Sequence, residues 1–317
     1  MFSDIITPDL FASAIRMATP LALAAIGGTI CERSGVVNIA LEGMMLTGAF
    51  FGVVGALATG SAWMGVLTAV LAGTLLAAIH AFASITLRTD QVVSGTAINI
   101  LALGLTGFFM EVIYGHPGTT DSAMRLQPVF NINGPTEGFL GTLWTWVDGT
   151  LLSFTPIVYF AILLAIVGQW ALFHTTWGLR LRALGEHPRA ADTVGISVVR
   201  GRYSAVLISG ALGGLAGANL TLEQVGSFTE NMTNGRGFIA LAANIFGRWT
   251  PAGSYLASLL FGFADALQIK LQLLRDVIRI PSQFFLMLPY LLTVIVLAGV
   301  VGRAVGPAAV GKPYEKG

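Results

Sequence analysis

The sequence predicts an all-α polytopic membrane protein of about nine membrane segments, and three observations carry that prediction. Charged residues make up only 10% of the 317 and hydrophobic ones 55%, with a mean hydropathy of +0.77; an ordinary soluble domain carries about 25% charged residues. Residues 43–87, 91–110, 149–179, 203–222 and 280–302 contain no acidic or basic side chain apart from histidine. Each reaches the roughly 20 residues needed to cross a bilayer core, and the first is long enough to cross twice. Thirty-nine glycines, some paired as Gly48/Gly52, Gly210/Gly214 and Gly213/Gly217, suit helices that pack through small residues. The polar alternation of a transmembrane β-barrel is absent.

Taken in order, the segments are 10–30, 37–57, 63–87, 92–114, 154–173, 203–222, 238–246, 254–272 and 284–301. The first lacks a basic start and a small-residue cleavage site, so it reads as a retained helix rather than a signal peptide. The seventh is too short to span alone, which predicts a broken or re-entrant helix within 223–247; a second such break is predicted near 31–43. The whole chain, 1–317, reads as one transmembrane domain. The connection 174–202 holds Arg180, Arg182, Arg189, Arg200 and Arg202, whereas 115–153, the longest, holds only Arg125. Positive charge marks the cytoplasmic face, so 174–202 is placed inside and 115–153 outside. Counting crossings places Arg88 and the tail 303–317, with Arg303, Lys312 and Lys316, inside, and the N-terminus outside. Gly35-Val-Val-Asn-Ile-Ala-Leu41 and Gly235-Arg-Gly-Phe-Ile-Ala-Leu241 share the pattern G-x-x-x-I-A-L, a possible internal repeat placing two interrupted segments at corresponding positions.

Composition also excludes functions. A net charge of +1 and no basic tract with interleaved aromatics leave no nucleic-acid surface. One cysteine, Cys31, forms no internal disulfide or Cys-rich metal site. His80, His116, His174 and His187 are scattered without a paired nucleophile or ligand spacing, so the chain offers no catalytic residue. His80, in an apolar run, reads as a satisfied packing residue.

Four polar segments remain. In Cys31–Gly43, ionisable groups sit where hydropathy assigns membrane, and such groups need partners or a wet cavity. Asn38 and Glu42, four apart on one helix face, line a water-filled path in one reading; in the other, Glu42 is paired to a base at an interfacial helix start. Asn99 follows Ser94 and Thr96 in the next helix, and its amide needs several partners, which makes it a pore-lining candidate. The stretch 223–237 offers Glu223 and Gln224 as polar contacts and Phe228 as a stacking face, unless it is a plain loop; Asn244 follows in the short segment. In 178–202, Pro188 followed by Arg189, Ala190, Ala191 and Asp192 reads as a helix start, and Gly195 as its stop.

The phrases Glu32-Arg-Ser-Gly-Val-Val-Asn-Ile-Ala-Leu-Glu-Gly43, Asp90-Gln-Val-Val-Ser-Gly-Thr-Ala-Ile-Asn99, Gly185-Glu-His-Pro-Arg-Ala-Ala-Asp-Thr-Val-Gly-Ile196 and Gly235-Arg-Gly-Phe-Ile-Ala-Leu-Ala-Ala-Asn-Ile-Phe-Gly-Arg-Trp249 resemble the permease subunits of bacterial ABC importers. The resemblance is to the nucleoside and simple-sugar group, related to the ribose and branched-chain amino acid permeases, and it covers nearly the whole chain. It implies a permease in the cytoplasmic membrane that binds no cofactor itself. It would be paired with a paralogous permease or a second copy, docked on cytoplasmic ATPase subunits that bind ATP and Mg²⁺, and fed by an extracytoplasmic binding protein. By the same resemblance, Gly185, Glu186, Pro188, Arg189, Ala190, Ala191, Asp192 and Gly195 form the coupling helix that docks on the ATPase. The family often has Asn where His187 stands, so no protonation role attaches to that histidine. The implied transport is alternating access for nucleosides, with a simple sugar such as a pentose as the alternative substrate.

Gly306-Pro-Ala-Ala-Val-Gly-Lys-Pro313 imitates a phosphate-binding loop, but Pro313 replaces the Ser or Thr that holds Mg²⁺ and no strand precedes it. A different class, an ion-gradient-driven transporter, would use Asp265 and Glu111 as its ion sites, with Lys270 close enough to Asp265 to screen it. That scheme leaves the arginine-rich connection without a purpose.

Overall fold

The computed structural model describes residues 6–130, 138–273 and 305–315, together with positions 284, 287 and 291. The predicted ninth segment, 284–301, lies outside these residues apart from those three positions, as do Arg303 and Lys316. The described chain is helical, with one isolated bridge between Thr119 and Thr229. Its helices are α1 Pro8–Arg33, α2 Leu41–Thr59, α3 Ala62–Ala81, α4 Gln91–Tyr114, α5 Gly138–Val147, α6 Pro156–His174, α7 Thr176–Glu186, α8 Pro188–Thr193, α9 Val198–Ala218, α10 Arg236–Phe246 and α11 Pro251–Leu273. Wider π-helical turns follow α3, α5 and α9, at Phe82–Thr86, Asp148–Leu152 and Asn219–Val225.

Among the described residues, seven helices are long and apolar enough to cross a membrane, and α10 is a shorter apolar helix of 11 residues. The first eight hydropathy segments therefore recur within a few residues, the short seventh included. The connection 115–153 departs from expectation, because it contains α5. So does 174–202, where α7 precedes the proline-started helix.

Element boundaries follow local chemistry. Asp90 caps α4, its carboxylate accepting from Val92 N–H at 2.8 Å and Val93 N–H at 2.9 Å. Thr175 caps α7 through Gly178 N–H at 3.2 Å. Gly60 and Gly115 end α2 and α4 in the left-handed region, at φ 67° and 73°, where a side chain is strained.

Burial sorts the long helices into a centre and a periphery. The apolar windows of α1, α2 and the α9 span are 72%, 78% and 78% buried, against 33%, 22%, 28% and 28% for the spans of α3, α4, α6 and α11. The outer helices present Leu75, Ile100, Phe108, Ile166 and Leu256 outward, the apolar exterior that lipid requires. The centre holds together through glycine. A Cβ at Gly214 of α9 would collide with the Ala69 carbonyl of α3, and one at Gly48 of α2 would collide with the Gly214 backbone. Three helices thus meet backbone to backbone, as the small-residue spacing predicted.

Candidate functional site

The polar residues of 31–43 meet the short helix α10, Glu42 at its N-terminus and Glu32 beside Trp249 just past its C-terminus. After α1, Gly35 turns at φ 93° and residues 36–38 run without helical structure before α2 begins at Leu41. Side chains from other helices satisfy the freed backbone, which is what non-helical chain at membrane depth demands. Gln91 Oε1 accepts from Val37 N–H at 2.7 Å, and Asn99 Nδ2 donates to the Ile39 carbonyl at 3.0 Å. His80 Nε2 lies 3.0 Å from the Val37 carbonyl; a carbonyl only accepts, so Nε2 carries the proton and Nδ1 accepts from Ser94 Oγ at 3.1 Å. Asn38 is fully buried, and its Nδ2 donates to Ser209 Oγ at 2.8 Å. Its Oδ1 has no protein partner, at a cost of about 1–3 kcal/mol unless another group supplies a donor.

Two helix N-termini come together here. Gly43 N–H, in the first turn of α2, donates to Asn99 Oδ1 at 2.8 Å. Glu42 then caps α10: its carboxylate accepts from Gly235 N–H at 2.8 Å and Gly237 N–H at 2.6 Å. Its partners are therefore backbone donors rather than the base that one reading supposed. A carboxylate at a helix N-terminus satisfies unpaired N–H groups and faces the positive end of the helix dipole. Gly237 allows the approach, since a Cβ there would strike the Glu42 backbone.

The two G-x-x-x-I-A-L stretches differ locally. Gly35 is followed by non-helical chain over residues 36–38, whereas Gly235, at φ 85°, immediately precedes α10. Bonds from Gln91, His80 and Asn99 hold the first stretch out of a helix, and the second lacks those partners.

The remaining candidates fall elsewhere. Asn244 of α10 accepts from Thr29 Oγ1 at 2.7 Å and so ties α10 to α1; its Nδ2 is buried without a hydrogen-bond partner among the described residues. Trp249 Nε1 donates to the Glu32 carboxylate, and Arg33 Nε donates to the Trp249 carbonyl at 2.7 Å. Phe228 is fully buried, its ring edge-on to Phe50 at 5.1 Å, so it packs the core and presents no open stacking face. Its β-bridge neighbourhood turns the ring inward, which a loop reading of 223–237 does not reveal.

Glu223 and Gln224 lie on the π-helical turn Asn219–Val225. With i to i+5 bonding, positions four and five apart share a face, and Asn219, Glu223 and Gln224 line one chamber of about 440 Å³ with Arg16 and Arg125. Asn219 Nδ2 donates to Glu223, and Gln224 Nε2 donates to Asn219 Oδ1 and to the Arg16 carbonyl, each at 3.0 Å. Arg16 and Asn219 were not singled out from sequence. An arginine within an apolar segment was the available signal.

At the arginine-rich end, Pro188 opens α8 and Gly195 follows it at φ 83°. Glu186, Arg189, Ala190 and Gly195 are exposed and Pro188 and Asp192 half-buried, whereas Gly185 and Ala191 turn inward. Ala191 packs with Leu184 and Val198. Gly185 lies against the Arg33 carbonyl. These two residues therefore seat the helix rather than face outward.

The segment 305–315 straps this end together. Ala309 N–H donates to the Gly185 carbonyl at 2.8 Å, Gly311 N–H to the Gly35 carbonyl at 3.2 Å, and Arg202 Nη1 to the Lys312 carbonyl at 3.0 Å. Arg88 pairs with Glu315 at 3.1 Å. The loop that imitates a nucleotide motif is thus engaged in structural contacts. Ala309→Pro deletes the donor to Gly185, and a loss of about 1 kcal/mol is expected, read as faster cleavage after Glu315 by a glutamate-specific protease; an unchanged cleavage rate would contradict the strap.

Over residues 10–297 the sequence matches the family described as branched-chain amino acid transport system / permease component. The chain belongs to that permease family. The permease is 45% identical, over 95% of its length and 94% of the relative's, to a guanosine ABC transporter permease protein of Bacillus subtilis. It is 39% identical, over 97% and 96%, to a nucleoside ABC transporter permease protein of Lactococcus lactis. Identity is 38%, over 83% and 78%, with a putative glucose ABC transporter permease protein of Haloferax volcanii. No solved structure matches the permease.

Proposed function

We propose that this permease is the membrane-spanning subunit of an ATP-driven ABC importer of the cytoplasmic membrane, and that it translocates nucleosides by alternating access. The observation that carries the substrate is the 45% identity, across nearly the whole of both chains, with a guanosine permease. The 38% identity with a putative glucose permease favours a simple sugar as the second reading. Both relatives are named as ABC permeases, which disfavours the gradient-driven scheme built on Asp265 and Glu111.

In this reading the chain crosses the membrane about nine times, with α2 and α10 as broken crossings whose N-termini meet at Glu42. The permease performs no chemistry. ATP and Mg²⁺ act on a separate ATPase, a second permease copy or a paralogue completes the path, and an extracytoplasmic binding protein delivers substrate. The arginine-rich end faces the cytoplasm and presents Glu186, Arg189 and Ala190 to the ATPase. Gly185 and the strap then link α8 to the Gly35 turn, so motion of the docked helix reaches the 36–38 segment and the Glu42 junction. Asn38, Glu42 and Asn99 hold that junction, with Asn38 Oδ1 free for water or substrate.

The test is to purify the tagged chain gently, identify its partners, and measure ATP hydrolysis and nucleoside uptake in the reconstituted complex. An ATPase should co-purify, and uptake should require it. Ala190→Glu should lower uptake at least tenfold while membrane insertion is unchanged. Recovery of the chain alone, from a preparation that preserves other transporter complexes, would contradict the reading.

A further inference from the structure

Three cavities lie along α1. The chamber of about 440 Å³ that holds Glu223 is followed by smaller ones of about 190 and 250 Å³, and Met17 lines all three. The first is within the range of small-molecule sites, about 300–1,000 Å³.

Its donor set is specific. The Glu223 carboxylate accepts from Ile157 N–H at 3.3 Å, the Asn219 amide and the Thr155 hydroxyl, with the Arg16 charge acting on it as well. A carboxylate has about four acceptor positions, so capacity remains for further donors. Arg16 enters the same chamber. One of its nitrogens donates to the Ser153 carbonyl at 3.4 Å, and its guanidinium lies over the Phe154 ring at 5.7 Å. A guanidinium carries five N–H donors, most of which stay available. Among the described residues, no aromatic ring lines the chamber, and Phe228 is committed to the core. A base recognised here would lack the stacking surface that bases ordinarily find on proteins.

A carboxylate beside amide and guanidinium donors instead matches vicinal hydroxyls. Each hydroxyl donates one hydrogen bond and accepts others, so a diol donates to the two carboxylate oxygens while accepting from the neighbouring N–H groups. A carboxylate on a ribose hydroxyl is also how dinucleotide-binding folds hold their cofactor. The diol is the group that nucleosides and sugars have in common.

We propose that this chamber is a subsite for the ribose cis-diol, with Glu223 accepting from the 2′- and 3′-hydroxyls and Arg16 donating to them, and that it reads the sugar and not the base. The identity of the diol-bearing substrate rests on the nucleoside reading above; recognition of the diol does not. A site built to hydrogen-bond a hydroxyl discriminates strongly against the analogue that lacks it.

The test is cysteine protection in the purified full complex, without the binding protein. Ser13→Cys places a thiol on the chamber wall, and native Cys31 is buried. Maleimide labelling is followed against guanosine, adenosine, 2′-deoxyguanosine, ribose and 2-deoxyribose. Guanosine should protect at a concentration at least tenfold lower than 2′-deoxyguanosine, and adenosine should match guanosine. Adding Glu223→Gln should abolish the difference while the complex stays monodisperse. Equal protection by guanosine and its deoxy analogue, or none by any probe, overturns the proposal. Protection by ribose but by no nucleoside supports the diol site and removes the nucleoside reading instead.

Discussion

Glu42→Ala should remove most of the folded permease. The substitution deletes the acceptor for Gly235 and Gly237 N–H and leaves two donors unpaired at a helix N-terminus where Gly237 is buried and Gly235 half-buried. Hydrogen bonds to a charged group contribute about 1.5–3 kcal/mol each, so the loss is roughly 3–6 kcal/mol, comparable to the whole stability of many domains. The expected readout is a fall in melting temperature on the order of 10 °C, with uptake lost in parallel. Glu42→Gln keeps one carbonyl acceptor and should fall between. If Glu42→Ala melts with the wild type, the cap contributes nothing and α10 is held by its apolar contacts alone.

The second large effect is expected at Gly214. A valine there drives its Cβ into the Ala69 carbonyl region, where every neighbour is backbone and no side chain can rotate away. Overpacking costs about 1–3 kcal/mol where side chains can adjust; here two helices must separate, and at least about 3 kcal/mol is expected on that basis. Membrane insertion, which depends on hydropathy, should be unaffected, while the detergent-solubilised protein should aggregate or melt early. Gly104→Val supplies the control. No atom lies within 4 Å of a Cβ at that position, so stability should be nearly unchanged. Equal losses at Gly104 and Gly214 would point to helix propensity rather than close packing.

Much of the fold was legible because its signals are local. Apolar length located seven spans and the short α10, and the Gly210/Gly214 spacing located the close crossing. Pro188 and Gly195 bracketed α8 through backbone preferences that need no neighbours. The site was less legible. Asn38, Glu42 and Asn99 stood out as polar groups in apolar surroundings, but Asn38 precedes α2 instead of sharing a helix face with Glu42, and the three side chains bond to different elements, Ser209 of α9, the start of α10 and the start of α2. Phe228 carried a different signal, an aromatic ring in a polar stretch, yet packs against Phe50. Arg16 carried one too, and its meaning appears only beside Glu223, 207 positions away in the chain.

The sequence by itself determined the membrane class, the position of seven spans and the short α10, and the permease family. Hydropathy and turn chemistry add up along the chain, so those features are readable one segment at a time. Only the tertiary structure decided what each polar group does. Glu42 lies 193 residues from the Gly235 N–H it caps, and Gly35 and Gly235 begin similar phrases with different outcomes because different helices cross beside them. Hydrogen-bond partners at such separations are chosen by how helices cross, and that geometry has no counterpart in any local pattern.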